Sequence, residues 1–127
     1  MEKALVIADD SAIIQNIIGH ALENEFKVLK AKNGQEAIDI ISNNKDYDMI
    51  GMLLDLNMPE CNGFVTLDYF KNNHLFRKIP VAIISGDDTK ETIQKAFNYD
   101  IVDMLNKPFS VDNVKIIINK MGEFKNI

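Results

Sequence analysis

Five polar residues lie where short apolar runs of the sequence end, and their types suit phosphoryl transfer. Asp9 and Asp10 follow the first such run, Asp55 ends the third, Ser85 ends the fourth and Lys107 follows the fifth. In phosphoryl transfer a divalent cation and a lysine absorb charge on the phosphoryl oxygens, while a hydroxyl donates a hydrogen bond to another oxygen. Because no serine–histidine arrangement is present, Asp55 is the candidate nucleophile, and its attack would give an aspartyl phosphate.

The three carboxylates also predict a metal site. Asp9, Asp10 and Asp55 would repel one another at one place, and the arrangement is costly unless a cation lies among them. Acidic oxygens at an open edge suit Mg2+, which keeps several waters and uses one or two carboxylates. Asp9 and Asp10 would by themselves equally well cap the helix that follows. Beside Asp55 and Lys107, the metal site is the better interpretation.

The apolar pattern predicts the elements that bring these residues together. Short continuous apolar runs are typical of strands buried on both faces, and they alternate with segments whose apolar residues recur at helical spacing. The predicted strands are residues 4–8, 26–31, 49–54, 80–85 and 101–105. This alternation requires a parallel sheet with right-handed helical crossovers on both faces. The carboxyl ends of parallel strands share one edge, so we expect the polar residues to meet there.

Three residues give local signals within this pattern. Gly51 interrupts the third strand and predicts a bulge or a close approach of the backbone. Ser110 is a suitable N-cap for the last helix, and Gly122 is predicted to end it.

The composition limits the class of protein. The chain has 127 residues, enough for one domain with a core, and 46% of them are hydrophobic. A net charge of -5 argues against a general affinity for nucleic acid or an anionic membrane. No apolar run approaches the roughly 20 residues of a membrane span, and Met1 leads directly into a strand without room for a signal peptide. With Cys61 as the single cysteine, the reducing cytoplasm is the expected location.

In combination, these motifs resemble the receiver domain of two-component response regulators. The resemblance rests on four pieces in order: the acidic pair, the run Asp55-Leu56-Asn57-Met58-Pro59 with Gly63, the pair Ser85-Gly86, and Lys107-Pro108-Phe109. It covers essentially the whole chain, residues 1–127, as a single receiver domain. It implies a flavodoxin-like three-layer α/β fold, with a five-stranded parallel sheet of order 2-1-3-4-5 and five helices on both faces.

The resemblance implies a role for each acidic residue. Asp55 would accept a phosphoryl group from a sensor histidine kinase or a histidine phosphotransfer protein. Asp10 and Asp55 would bind Mg2+ directly, Asn57 would bind it through its backbone carbonyl, and Asp9 would act through a water molecule.

It also implies roles for the residues that follow the fourth and fifth strands. Lys107 would pair with the phosphoryl group, and the peptide bond between Lys107 and Pro108 would be cis. Ser85 would swing toward the phosphoryl group and pull the loop behind it. The switch position three residues before the lysine is usually Tyr or Phe, but here it is Met104, which can fill a pocket without presenting a ring.

Three further positions depart from the family. Asp100-Ile101 replaces the small Gly-Ala pair common before the fifth strand. Gln15 stands where many chemotaxis-type receivers carry Arg. His20 and His74 are interpreted as surface residues, and Cys61 is assigned no role.

The expected function is a switch that acts through an unknown downstream protein, as a monomer or a weak phosphorylation-dependent dimer. No nucleic-acid-binding or membrane segment is recognised, and the expected chemistry is limited to the protein's own phosphorylation and dephosphorylation. One alternative is a receiver-like docking module that phosphorylation does not control. Another is a small aspartate-dependent phosphatase of the haloacid-dehalogenase type, although its acidic pair would precede the nucleophile and no cap would enclose a substrate. A flavodoxin-like redox protein would need a phosphate-binding loop after the first strand, and none is present.

Overall fold

Strands and helices alternate five times in the computed structural model, which describes residues 1–58, 62–87 and 89–125. The strands are β1 (Glu2–Ala8), β2 (Lys27–Ala31), β3 (Tyr47–Asp55), β4 (Val81–Ser85) and β5 (Asp103–Asn106). The helices are α1 (Ala12–Leu22), α2 (Gly34–Ser42), α3 (Gly63–Asn72), α4 (Lys90–Phe97) and α5 (Val111–Lys125). All paired strands are parallel and their order is β2-β1-β3-β4-β5, which confirms the predicted α/β fold.

The sheet separates two apolar cores, one on each face. Alternate residues of a strand point to opposite faces, so the continuous apolar runs of the central strands supply both cores. One core joins the sheet to α1 and α5, and it contains Leu5, Ile7, Leu53, Ile18, Leu22, Val114, Ile117 and Met121. The other joins the sheet to α2, α3 and α4, and it contains Val6, Met52, Leu54, Ala37, Leu67, Phe70 and Ala96. Helices therefore cover both faces, as predicted.

Gly51 marks the predicted irregularity in β3. The register with β1 steps from Ala4 opposite Met49 to Leu5 opposite Gly51, so Ile50 is the extra residue of a bulge. A Cβ atom on Gly51 would lie 2.9 Å from the carbonyl oxygen of Pro80. The glycine therefore serves both predicted purposes, the bulge and the close backbone approach.

The last helix begins as predicted but ends later. The Ser110 hydroxyl accepts a hydrogen bond from the Asn113 backbone N–H at 3.1 Å, as an N-cap does. The predicted end at Gly122 is wrong, because α5 continues to Lys125. Tertiary contacts hold the extra turn: the Arg77 guanidinium lies 4.5 Å from the centre of the Phe124 ring, and the Lys125 ammonium pairs with Asp48 at 3.5 Å. These contacts outweigh the weak helix propensity of glycine.

In the part of the chain that the structure describes, none of the helices has the length and apolar character that crossing a lipid bilayer requires.

Candidate functional site

An acidic cluster lies at the carboxyl edge of the sheet, where β1 and β3 end side by side. Carboxylate oxygens of Asp9, Asp10 and Asp55 all lie within 4.8 Å of one another. Asp9 and Asp55 are buried, whereas Asp10 is exposed at the rim. The predicted meeting of these three carboxylates is confirmed.

Lys107 joins this cluster from the far side of β4. Its ammonium nitrogen lies 3.0 Å from Asp55 Oδ2 and 3.3 Å from Asp9 Oδ2. Its backbone N–H donates to the Ser85 carbonyl at 2.9 Å, and its peptide bond to Pro108 is cis, as predicted. Burial opposes the charged form of Lys107, but the hydrogen bond and charge of Asp55, helped by Asp9, outweigh it and raise the pKa of Lys107.

The Asp55 carboxylate is held by a donor on each oxygen. Oδ1 accepts a hydrogen bond from the Asn57 backbone N–H at 3.0 Å, and Oδ2 accepts one from Lys107. The residue is only 2% exposed, so these two bonds fix the direction in which the carboxylate faces the rim. The metal contact expected from the Asn57 carbonyl stays a prediction.

Asp9 has one satisfied oxygen and one unsatisfied oxygen. Oδ1 accepts a hydrogen bond from the Ser11 backbone N–H at 2.8 Å. Oδ2 is buried and receives no hydrogen bond from the residues that the structure describes; the Lys107 ammonium lies 3.3 Å away, outside hydrogen-bonding geometry. Burial, with a smaller contribution from the Asp55 charge, raises the pKa of Asp9 against the opposing effects of Ser11 and Lys107. A buried carboxylate oxygen without a partner is a position that a bound cation or its water would satisfy. The donor set therefore fits Mg2+.

Ser85 is placed beside the cluster but its hydroxyl is engaged elsewhere. Asp55 is opposite Ile84 in the sheet, so Ser85 lies one residue beyond it. The Ser85 hydroxyl accepts from the Asp87 backbone N–H at 2.9 Å and donates to the Asp87 carbonyl at 3.0 Å. The predicted swing of Ser85 toward Asp55 would break both bonds, and it stays a prediction.

The loop after β4 contains a polar network that the sequence analysis did not identify. The Asp87 carboxylate accepts hydrogen bonds from the Thr89 backbone N–H at 2.9 Å and from the Thr92 hydroxyl at 2.8 Å. These bonds, the Thr89 backbone first, lower the pKa of Asp87. Asp87 thus connects the Ser85 hydroxyl to the first turn of α4.

Met104 lies on β5 opposite Ile83, and it packs against the core under α3 and α4. It is half-buried, in agreement with the expectation that it fills a pocket. Next to this face, the Tyr99 hydroxyl donates to Asp68 on α3 at 2.6 Å. Burial, followed by the bond to Asp68, raises the pKa of Tyr99 to about 12. A switching role for Met104 stays a prediction.

Comparisons with known proteins agree with this geometry. The family model of the response regulator receiver domain matches residues 5–119. The chain belongs to this family. The solved receiver domain of Francisella response regulator 1452 superposes on it with a TM-score of 0.81 at 29% identity, covering 99% of this chain and 98% of that one.

Two curated relatives are much longer than this receiver. The cell cycle response regulator CtrA of Brucella ovis is 34% identical over 112 residues, which are 88% of this chain and 46% of that protein. A probable cyclic di-GMP phosphodiesterase of Vibrio cholerae is 29% identical over 111 residues, which are 87% of this chain and 24% of that protein. The receiver therefore spans less than half of either relative, and the phosphodiesterase activity is not transferred to it.

The remaining residues considered in the sequence analysis are two histidines, one cysteine and Gln15. His20 and His74 are exposed, which confirms their interpretation as surface residues. Cys61 lies outside the described residues. Gln15, noted only as a departure from the family, is buried beside Asp9. The sequence contained an indication of this position: residues 15, 18 and 22 share the buried face of α1, and Gln15 is the polar one of the three.

Gly63 allows α3 to approach the end of β3 closely, and its substitution should destabilise the receiver. A Cβ atom there would lie 2.7 Å from the Asp55 carbonyl oxygen and 2.8 Å from the Leu56 Cα, and neither backbone atom can move aside. We expect Gly63→Ala to lower the free energy of unfolding by about 2–3 kcal/mol, measured by urea denaturation.

Gly122→Ala is the matched control. Gly122 is exposed on α5, and among the described residues no atom lies within 4 Å of the position that a Cβ atom would take there. Alanine should therefore raise the free energy of unfolding by about 0.5–1 kcal/mol. Equal effects of the two substitutions would show that the close approach at Gly63 is not what requires a glycine.

Proposed function

We propose that this receiver accepts a phosphoryl group on Asp55 from a phosphohistidine of a sensor histidine kinase or a histidine phosphotransfer protein. The observation that carries the proposal is the placement of one almost completely buried carboxylate next to an ammonium group and two further carboxylates. Lys107 lies 3.0 Å from Asp55, and Asp9 and Asp10 complete the acidic cluster. A site of this composition suits a nucleophile that receives a highly charged group.

In the proposed reaction an oxygen of the Asp55 carboxylate attacks phosphorus and forms an acyl phosphate. The P–N bond of the donor breaks and its electron pair stays on the imidazole nitrogen; because the other ring nitrogen already carries a proton, a neutral imidazole leaves. Lys107 loses its ion pair with the Asp55 oxygen and gains one with a phosphoryl oxygen, so charge compensation is kept through the transfer. Dephosphorylation is attack of water on the same phosphorus, which returns the carboxylate and releases inorganic phosphate.

Mg2+ is proposed to be held by the carboxylates of Asp10 and Asp55, by the Asn57 carbonyl, and by Asp9 through water. When bound, the ion would neutralise charge on the phosphoryl oxygens. The unsatisfied Oδ2 of Asp9 and the mutual proximity of three carboxylates support this assignment. Asp9 would orient a water of the ion's hydration shell, and its burial keeps that oxygen away from bulk solvent.

Phosphorylation is proposed to act through the polar network that holds Ser85. The added group carries ~1.5–2 negative charges and three acceptor oxygens. A hydrogen bond from the Ser85 hydroxyl to one of these oxygens requires the hydroxyl to leave Asp87, which is itself bonded to Thr92 of α4. The event at Asp55 would thereby bias the position of the loop and of α4, and Met104 would repack on the same face.

A protein donor is supported by the surface around Lys107. Ile13 and Ile17 of α1 are 72% and 54% exposed, which is unusual for two isoleucines on one helix. Ile17 shares a groove with Lys107, Pro108 and Phe109. An apolar surface next to the acceptor suits a helix that carries a phosphohistidine.

The extent of the active unit is also a proposal. We propose that residues 1–127 act as one receiver domain in the cytoplasm, where kinases transfer phosphoryl groups from ATP. The receiver either works alone or belongs to a longer regulator, as the matching segments of both curated relatives do. Its output would be the binding of a downstream protein.

The test is incubation with acetyl phosphate and Mg2+, followed by intact mass measurement. The receiver should gain the mass of one phosphoryl group, lose it in hydroxylamine as an acyl phosphate does, and gain none as Asp55→Asn. Asp46→Asn, an exposed residue before β3, is the control and should be phosphorylated normally. No gain with any phosphodonor would favour the docking module, and steady turnover of a phosphate ester would favour the phosphatase.

A further inference from the structure

We infer that Gln15 is a positioning residue that aims the Asp9 carboxylate into the acidic cluster and thereby sets the affinity for Mg2+. The inference rests on the proposed function, because it deepens the account of the same metal site. Gln15 would touch neither the ion nor the phosphoryl group. It would act through the backbone of Asp9.

Both amide hydrogens of Gln15 are used at the carboxyl ends of two strands. Nε2 donates to the Asp9 carbonyl at 2.8 Å and to the Ala31 carbonyl at 2.7 Å. Gln15 is only 7% exposed, so these bonds form away from solvent, where a lost partner is expensive. The side chain therefore ties α1 to the points at which β1 and β2 end.

Asp9 is consequently fixed at three points. Its N–H donates to the Ala31 carbonyl at 3.0 Å, its C=O accepts from Gln15, and its Oδ1 accepts from the Ser11 N–H at 2.8 Å. With the peptide and one carboxylate oxygen restrained, Oδ2 is left directed at Lys107 and the acidic cluster. Gln15 supplies the restraint on the peptide plane that immediately precedes Asp10.

The chemistry of an amide suits this task better than that of a charged side chain. Gln15 donates two hydrogen bonds without bringing a positive charge to a site that must attract a cation. A lysine or arginine in the same place would donate as well but would repel Mg2+. An apolar residue would fill the space and leave the Asp9 carbonyl without this donor. The neutral donor is therefore the choice that favours metal binding.

The experiment is calorimetric titration of the unphosphorylated receiver with MgCl2, as wild type, Gln15→Met and Leu22→Val. Methionine has nearly the shape of glutamine but donates no hydrogen bond, and loss of a residue that orients a metal ligand typically weakens binding 10–100-fold. We expect the dissociation constant for Mg2+ to rise about tenfold in Gln15→Met. Leu22→Val deletes one buried methylene from the last turn of the same helix and should leave the dissociation constant unchanged.

Two further readouts separate positioning from simple stability. In metal-free protein, the Ser11 amide resonance should shift in Gln15→Met and stay in place in Leu22→Val, because the bond to Asp9 Oδ1 changes only in the first. At saturating Mg2+, acetyl phosphate should phosphorylate Gln15→Met at nearly the wild-type rate. Wild-type Mg2+ affinity and an unmoved Ser11 resonance in Gln15→Met would overturn the inference. Failure of the wild-type receiver itself to bind Mg2+ would instead overturn the proposed metal site, and the inference with it.

Discussion

Lys107→Met should slow phosphorylation of Asp55 by acetyl phosphate about 100-fold, and at the same time it should tighten the binding of Mg2+. Removal of one donor that meets developing charge in a preorganised site slows a reaction by this order. The opposite effect on the metal follows from the position of the ammonium group, 3.0 Å from Asp55 and 3.3 Å from Asp9. A positive charge between two carboxylates of the proposed metal site weakens their attraction for a second cation. Methionine removes this charge without greatly changing the length of the side chain.

The rate would be measured by intact mass at saturating Mg2+, and the affinity by calorimetry of the unphosphorylated protein. Lys120→Met is the matched control, because Lys120 also pairs with a half-buried aspartate, Asp103 on β5, at 2.6 Å but lies on α5 away from the acidic cluster. It removes the same net charge and should change neither quantity. Equal phosphorylation rates for Lys107→Met and wild type would show that Lys107 has no part in the transfer.

The sequence was sufficient to predict which backbone positions meet at the site. Asp9 and Asp55 end continuous apolar runs, and the parallel sheet that those runs require places strand ends at one edge. The meeting of both residues with Lys107, up to 98 positions further along the chain, therefore follows from topology. The bulge at Gly51 was also predictable, because glycine weakens the interior of a strand and often marks a bulge or a close approach of the backbone.

The direction of individual side chains was not predictable in the same way. The Ser85 hydroxyl faces Asp87 because a backbone N–H and a carbonyl of that residue happen to lie within reach. Gln15 was visible as a polar residue in an apolar stripe, but its two acceptors belong to strands distant in sequence. The later end of α5 likewise depends on Arg77 and Asp48, which approach only after folding. Local propensity contains no information about such tertiary partners.

Asp9→Asn should make the metal-free receiver more stable at neutral pH, by about 0.5–2 kcal/mol, while it weakens Mg2+ binding. Burial and the neighbouring Asp55 raise the pKa of Asp9 above its usual 3.8. The folded protein then keeps a proton that the unfolded chain has released, so stability falls as the pH rises through the raised pKa. Asparagine does not ionise, so Asp9→Asn avoids this loss of stability. The expected increase in the free energy of unfolding has the size that common stabilising substitutions reach, and such substitutions in a functional site usually reduce function.

Urea denaturation in EDTA would measure the difference in stability between Asp9→Asn and wild type. Measurements between pH 4 and 7 cover the range in which carboxyl groups titrate. Asp103→Asn is a control of opposite sign, because burial of Asp103 is outweighed by its hydrogen bonds with Lys120 and Met104, which lower the pKa of Asp103. Asp103 contributes stability at pH values above its usual pKa, and its substitution should destabilise the protein at pH 7 although it removes the same charge.

Added Mg2+ should then stabilise the wild type more than Asp9→Asn, because the ion binds only the folded site. A lower stability of Asp9→Asn than of wild type in EDTA would contradict this prediction. It would show that Lys107 alone compensates the Asp9 charge and that the buried Asp9 oxygen does not need a cation.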